Sequence, residues 1–212
     1  MLKPWTARFL ELAHRVEALR FGAFMLKSGR QSPYFFNAGQ FSTGSAIATL
    51  SSCYAEAILA DPTPFDMLYG PAYKGIPLVT AIAVSFARDH GIDVPFAYNR
   101  KEAKDHGEGG HLVGAPLRGR VLIVDDVISA GTSIRESIDL IESGGAIAAG
   151  IAIALDRQER GRDERSAADA IRADGLAVIS IAALDDLVTW LDERGANKPL
   201  EAMIGYRNRY GA

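Results

Sequence analysis

The chain has 212 residues, of which 48% are hydrophobic and 23% charged, with a net charge of -3 and a pI of about 5.8. This length predicts a single domain over residues 1–212, and the slightly acidic balance excludes binding to nucleic acid or anionic membranes through overall charge. Because Cys53 is the single cysteine and no apolar run approaches the roughly 18 residues of a membrane span, we expect a cytoplasmic protein without disulfides.

The N-terminal region combines an amphipathic helix with a hairpin. Apolar residues recur at helical spacing over residues 6–19 and predict a helix that packs on the core. Residues 21–37 form two apolar runs around a Ser-Gly-Arg turn and predict a β-hairpin. Phe35 and Phe36 point to opposite faces of such a strand, so one can belong to a core while the other needs a different partner.

A first candidate anion site follows the hairpin. The pattern predicts a helix over residues 44–59, a strand over 65–69 and a helix over 78–87. Lys74 lies between this strand and the second helix and has glycines on either side of its loop. A lone lysine on a loop is usually only solvated, but a lysine before a helix N-terminus is also typical of an anion site.

A charged segment follows the next predicted strand, at residues 94–97. Residues 98–110 have no apolar face and contain several glycines, so we expect them to be mobile when the site is empty. Such a basic segment could act as a lid over a bound anion; the alternative is a solvated charged loop, since acidic residues dilute its charge. His106 lacks the partner spacing of a metal ligand.

The most informative stretch spans residues 121–133. A buried strand ends in Asp125 and Asp126, and a loop of small and hydroxyl residues then leads into a helix. Carboxylates suit sugar hydroxyls or a metal, whereas a helix N-terminus suits a phosphate. The stretch therefore predicts a ribose-phosphate site; the alternative is a helix cap beside two acids at the rim of a sheet.

The remaining elements continue to alternate between strand and helix. They predict an α/β fold, with an open, mostly parallel sheet, helices on both faces, ligand sites along one edge, and a small N-terminal hood at residues 1–40. Arg157 follows a predicted strand at that edge, and the tail at 199–212 is too short for a further domain. The predicted elements are a helix at 134–142, a strand at 146–155, a helix at 164–173, a strand at 177–181 and a helix at 184–191.

Two motifs resemble a known family. The apolar strand, paired acids and Ser-Ala-Gly-Thr loop of residues 121–133 resemble the signature of the type I phosphoribosyltransferases, with Ser129 where a Thr is usual. Residues 26–39, Leu-Lys-Ser-Gly-Arg-x-Ser-Pro-Tyr-Phe-Phe-Asn-Ala-Gly, resemble the hood that covers the base site in the orotate-specific members. The resemblance extends from this hood to Arg157.

The resemblance implies which residues contact 5-phosphoribosyl-1-diphosphate (PRPP). Asp125 and Asp126 would face the ribose hydroxyls, residues 129–133 would surround the 5-phosphate, and Tyr73 and Lys74 would contact the pyrophosphate. The implied PRPP-binding residues are Lys27, Tyr73, Lys74, Arg100, Lys101, Lys104, His106, Asp125, Asp126, Val127, Ile128, Ser129, Ala130, Gly131, Thr132 and Ser133.

The resemblance also implies a reaction, in which PRPP and orotate give orotidine 5-monophosphate and pyrophosphate. Mg2+ would arrive with PRPP, with no metal ligand coming directly from the protein. The implied orotate-binding residues are Phe35, Phe36, Ser129 and Arg157. The implied catalytic residues are Lys74, Lys101, Lys104, Asp125 and Asp126.

Two structural expectations follow from the same resemblance. The peptide between Ala72 and Tyr73 should be cis. The family is homodimeric, so residues 98–110 should close over the PRPP of the neighbouring subunit, with Arg100 at the base of this loop.

Two other functions remain open at this point. A purine or uracil phosphoribosyltransferase would share residues 121–133, although the hood and Arg157 favour an acidic pyrimidine. A regulator that binds PRPP and nucleic acid would also keep the ribose site, but it should carry a basic face or an added DNA-binding helix.

Overall fold

The computed structural model describes residues 1–26, 29–100, 112–128, 132–161 and 164–212. The helices in these ranges are α1 (Pro4–Arg15), α2 (Gly44–Leu59), α3 (Gly75–His90), α4 (Thr132–Ser143), α5 (Ala167–Ala173), α6 (Leu184–Glu193) and α7 (Asn197–Tyr210). The strands are β1 (Leu19–Met25), β2 (Gln31–Phe36), β3 (Met67–Gly70), β4 (Phe96–Asn99), β5 (Leu112–Gly114), β6 (Arg120–Asp125), β7 (Ile147–Asp156) and β8 (Ala177–Ala183). Among the described helices, none is both long and apolar enough to span a membrane.

The central sheet has the strand order β5-β4-β3-β6-β7-β8. All neighbouring strands run parallel except β5, which is antiparallel to β4. Because β3, β6 and β7 are parallel neighbours, their carboxyl ends at Gly70, Asp125 and Asp156 lie along one edge of the sheet. This edge is where open α/β sheets place their ligands.

Helices cover both faces of this sheet. Leu122 and Val124 of β6 point into a core layer that includes residues of α1, α2, α3, α6 and α7. Val121 and Ile123 point into the opposite layer, which includes residues of α4 and α5. Because β6 is buried on both faces, nearly all of its residues are apolar. The parallel sheet with helices on both faces confirms the predicted fold class.

The hairpin β1-β2 forms a separate antiparallel sheet beside the main one. Phe36 anchors it to the core through ring contacts with Phe9 and Phe41, at centroid distances of 6.0 and 6.4 Å. Phe35, on the other face of the strand, packs against Phe24 at 5.6 Å. The two adjacent rings therefore have different partners, as the alternation of side chains along a strand requires.

Some element boundaries differ from the sequence prediction. The first helix ends at Arg15 rather than residue 19, because Leu19 pairs with Phe36 in the hairpin. The helix predicted from residue 164 begins at Ala167, where Ser166 caps it by accepting a hydrogen bond from the Asp169 backbone N–H. The short strand β5 and the helix α7 within the tail were not predicted.

Candidate active site

The structure brings the Lys74 loop and the acid pair together at the carboxyl edge of the sheet. β3 leads into the loop and β6 ends at Asp125, and these two strands are adjacent. Lys74 lies at the N-terminus of α3, and its Nζ forms a short ion pair with the Asp126 carboxylate. The Asp126 side chain is only 7% exposed, whereas that of Lys74 is 57% exposed. The lysine can therefore move towards a ligand while the carboxylate stays fixed.

Backbone N–H groups hold both carboxylates in place. Asp125 Oδ1 accepts from the Asp126 N–H at 2.9 Å, and Asp126 Oδ1 accepts from the Val127 N–H at 3.0 Å. Burial and the neighbouring charge of Asp126 raise the pKa of Asp125 to about 6, against the opposing effects of the Asp126 N–H and Lys74. Asp125 is thus a carboxylate that ionises close to neutral pH.

Tyr54 on α2 supports the acid pair from beneath. Its ring is 1% exposed, and its hydroxyl donates to the Asp125 backbone carbonyl at 2.8 Å. The Asp126 carbonyl is held in turn by the Ala154 N–H of β7 at 3.0 Å. Sequence reasoning missed Tyr54, because its apolar surroundings in a helix gave no signal of a polar contact 71 residues away.

The loop around Lys74 has a tightly constrained shape. The peptide between Ala72 and Tyr73 is cis, which confirms the prediction. The Ala72 N–H donates to Asn99 Oδ1 at the end of β4, at 2.7 Å, a contact that sequence reasoning did not anticipate. A Cβ atom on Gly70 would lie 2.2 Å from the carbonyl oxygen of Gly75, so the start and the end of the loop pack together in a way that only glycine permits.

The residues after the acids lead towards α4. Val127 is half-buried against one core layer, and Ile128 is buried in the other. Thr132 begins α4, and Ser133 is exposed in its first turn, so the N-terminus of this helix follows closely after the acids. Ser129, Ala130 and Gly131 lie outside the described residues, as do the other predicted site residues Lys27, Lys101, Lys104 and His106.

Arg157 lies just beyond the end of β7, beneath the hairpin. Its Nε and Nη2 donate to Glu159 Oε1 at 2.9 and 2.6 Å, and its guanidinium carbon lies 4.7 Å from the centroid of the Tyr34 ring. Burial lowers the pKa of Arg157, but Tyr34 and Glu159 more than offset this effect and raise it overall. The hairpin therefore contacts Arg157 through Tyr34, a residue that the sequence did not single out.

The other predicted site residues that the structure describes lie on the Lys74 loop, after β4 and on the hairpin. Tyr73 is exposed on the Lys74 loop, and Arg100 is half-buried directly after β4. Phe35 lies on the same strand as Tyr34, with the Arg20 guanidinium 5.6 Å from its ring centroid. Within the ranges that the structure describes, no three His, Cys, Asp or Glu side chains converge to form a metal site.

Known proteins resemble this chain in sequence and architecture. The chain matches the family model of the phosphoribosyl transferase domain over residues 38–182. It is 57% identical over 212 residues to the orotate phosphoribosyltransferase of Thioalkalivibrio sulfidiphilus, covering 99% of this chain and 100% of the relative. It is 55% identical over 213 residues to that of Cronobacter sakazakii, with coverage of 99% and 100%.

Solved structures agree with these relatives. The crystal structure of orotate phosphoribosyltransferase from Francisella tularensis has a TM-score of 0.88 and 40% identity, over 96% of this chain and 99% of that one. The enzyme from Mycobacterium tuberculosis, solved in complex with PRPP, has a TM-score of 0.65 and 26% identity, over 87% of this chain and 99% of that one.

Proposed function

Because this chain belongs to the orotate phosphoribosyltransferases, within the phosphoribosyl transferase domain family, we propose that its acid pair and Lys74 loop form the PRPP site. The enzyme transfers the 5-phosphoribosyl group from PRPP to orotate and releases orotidine 5-monophosphate and pyrophosphate, a step of pyrimidine biosynthesis. The observation that carries the site proposal is the ion pair between Lys74 and Asp126, which joins the two predicted anion and sugar loops.

The acid pair binds the ribose of PRPP in this proposal. Asp125 and Asp126 accept hydrogen bonds from the ribose hydroxyls, and residues 129–133 surround the 5-phosphate at the N-terminus of α4. The buried Asp126 already holds its position through the Val127 N–H, so it needs little reorganisation to receive a ligand. Two fixed carboxylates also favour the positive charge that develops on the ribose during transfer.

Lys74 serves the leaving group. Asp126 compensates the charge of Lys74, and the exposed lysine side chain can turn to the pyrophosphate when PRPP binds. The bond from the anomeric carbon to the pyrophosphate oxygen breaks as the ring nitrogen of orotate forms the new bond, and the proton of that nitrogen passes to the departing pyrophosphate or to solvent. Lys101 and Lys104 add positive charge next to the departing pyrophosphate, together with Tyr73, Arg100, His106 and Lys27 as further contacts.

Mg2+ completes the pyrophosphate site in this proposal. When bound to PRPP, it neutralises negative charge on the leaving group. Asp125 and Asp126 lie at this edge, and their carboxylates suit the ribose hydroxyls. In this proposal Mg2+ would arrive bound to PRPP.

Orotate binds next to the ribose, beneath the hairpin. Arg157 supplies a planar guanidinium that matches the carboxylate of orotate, and Ser129 and the hood strand that carries Phe35 and Phe36 lie next to the flat ring. Arg157 is well placed for this role because it directly follows β7, the neighbour of the acid-bearing strand β6.

The protein works as a homodimer in the cytoplasm in this proposal. Residues 98–110 of one subunit close over the PRPP of the other, starting from Arg100, which directly follows β4. Closure excludes water, which would otherwise hydrolyse PRPP at the activated sugar.

A panel of bases tests the proposal. The purified protein is incubated with PRPP, Mg2+ and one base at a time, and pyrophosphate release is measured with orotate, uracil, hypoxanthine and adenine. We expect pyrophosphate release with orotate and with none of the other three bases. Equal release with uracil, which lacks the carboxylate, would contradict the assignment of Arg157, and release with a purine alone would contradict the function.

A further inference from the structure

The carboxylate of Glu159 is the centre of a half-buried hydrogen-bond network. Its Oε1 accepts from Arg157 Nε and Nη2 and also from the Tyr206 hydroxyl at 2.9 Å, with the Tyr34 hydroxyl at 3.4 Å. The Glu159 side chain is 16% exposed and that of Arg157 is 19% exposed. A half-buried pair with two hydrogen bonds is geometrically specific, because each charge is compensated by the other.

The end of the chain fixes the backbone that carries Glu159. The Ala212 N–H donates to the Gln158 carbonyl at 2.9 Å, and the Arg160 N–H donates to the Tyr210 carbonyl at 2.8 Å. Between them, Glu159 forms an isolated β-bridge with Gly211. Backbone hydrogen bonds thus attach the segment after Arg157 to the residues at the end of α7.

The hairpin reaches the same network from the other side. Arg30 Nη2 donates to the Arg160 carbonyl at 2.8 Å, and its Nη1 lies 3.9 Å from Glu159 Oε2. Tyr34 of β2 places its ring over Arg157 and its hydroxyl near Glu159. Hood, strand end and C-terminal helix therefore converge on one carboxylate.

The geometry of the pair leaves one edge of the guanidinium for another partner. Both bonds to Glu159 come from the Nε and Nη2 edge, and Nη1 takes no part in them. A guanidinium held on one edge and stacked on an aromatic ring has lost most of its rotational freedom before a ligand arrives. Preorganisation of this kind raises affinity because the ordering cost is met in the free protein.

We propose that Glu159 is a positioning residue for the base, which orients Arg157 towards the substrate carboxylate with the support of Tyr34 and Tyr206. The inference rests on the proposed role of Arg157 in orotate binding. Glu159 itself does not touch the substrate. Through Tyr206 and the bridge to Gly211, α7 becomes part of the base site.

The test compares the KM values for orotate and PRPP in single and double variants, with melting temperatures as a check on folding. Arg157→Ala and Glu159→Ala should each raise the KM for orotate about tenfold or more, since each breaks a charge-assisted contact, and should leave the KM for PRPP within about twofold. The double variant should resemble Arg157→Ala alone, because Glu159 acts through Arg157.

Two milder variants accompany these. Glu159→Gln keeps an oxygen acceptor in the same place and should hold the KM for orotate within about threefold of the wild type. Tyr206→Phe removes one donor to Glu159 and should raise this KM about two- to fivefold, whereas the matched control Tyr210→Phe, on the same helix, should not change it.

The outcomes separate the two claims. If Arg157→Ala raises the KM for orotate but Glu159→Ala does not, or if their effects multiply in the double variant, the positioning role of Glu159 is wrong and the proposed function stands. If Arg157→Ala leaves the KM for orotate unchanged, the base site itself is wrongly assigned and both proposals fall. If Glu159→Gln raises the KM for orotate as much as Glu159→Ala does, Glu159 does not position Arg157 through its hydrogen bonds.

Discussion

Replacing Tyr54 with phenylalanine should separate the support of the acid pair from its chemistry. The change removes only the hydroxyl that donates to the Asp125 carbonyl at 2.8 Å and keeps the buried ring. The carbonyl loses a buried hydrogen bond, and the end of β6 becomes free to shift beneath the two carboxylates. The hydrogen bonds from the ribose hydroxyls to Asp125 and Asp126 should then be weaker.

The expected cost has two parts. Loss of a buried hydrogen bond should lower the free energy of unfolding by about 1–2 kcal/mol, which corresponds to a fall in Tm of about 2–8 °C for a chain of this size. The KM for PRPP should rise about three- to tenfold because small displacements of positioning groups are costly, while the KM for orotate should change less.

Thr6→Val is the matched control. The Thr6 hydroxyl is equally buried and donates to the Ile181 carbonyl at 2.6 Å, but this bond lies on the edge strand β8, away from the acids. Thermal unfolding and steady-state kinetics of both variants should show a similar loss of stability and a change in the KM for PRPP only for Tyr54→Phe. Equal kinetic effects in both, or none in Tyr54→Phe, would refute the reasoning.

Three further predictions concern the same edge. Gly70→Ala should abolish activity, because the added Cβ would lie 2.2 Å from the Gly75 carbonyl oxygen. The control Gly205→Ala has open space around the added Cβ and should keep activity. A fully active Gly70→Ala enzyme would contradict the close packing of the loop. The kcat/KM for PRPP should fall as the pH drops below about 6, where Asp125 becomes protonated. Because Lys74 lowers the pKa of Asp125, Lys74→Met should move this fall to higher pH. A shift to lower pH would refute the coupling between the two residues. Mixing Lys104→Ala with Asp125→Asn should restore activity if residues 98–110 act across the dimer interface, since a mixed dimer then contains one intact site; activity that stays at the level of the separate variants would show that each loop serves its own subunit.

The positions of the charged residues at the strand ends could be predicted because short stretches of sequence determine them. Asp125 and Asp126 lie at the end of an apolar strand, and Lys74 lies in a loop between a strand and a helix. These local patterns were sufficient to predict that all three residues lie at the carboxyl edge of the sheet. The alternation of strands and helices then supplied the sheet that brings them together.

The supporting contacts could not be predicted because they join residues far apart in sequence. Tyr54 and Asp125 are 71 positions apart, and Tyr206 and Glu159 are 47 apart. A buried tyrosine in an apolar helix gives the same pattern whether its hydroxyl has a strand-end partner or not. The helix α7 was missed for a related reason, since its contribution is to pack residues such as Met203 into a core formed by the rest of the chain.

The central claim is that Asp125, Asp126 and Lys74 form the PRPP site, and a crystal structure of the protein with PRPP and Mg2+ tests it most directly. The account predicts ribose hydroxyls within hydrogen-bond distance of both carboxylates, and the Lys74 Nζ turned from Asp126 to the pyrophosphate. A PRPP molecule bound elsewhere, or one at this edge that leaves the pair between Lys74 and Asp126 intact and its ribose without contact to either carboxylate, would contradict it.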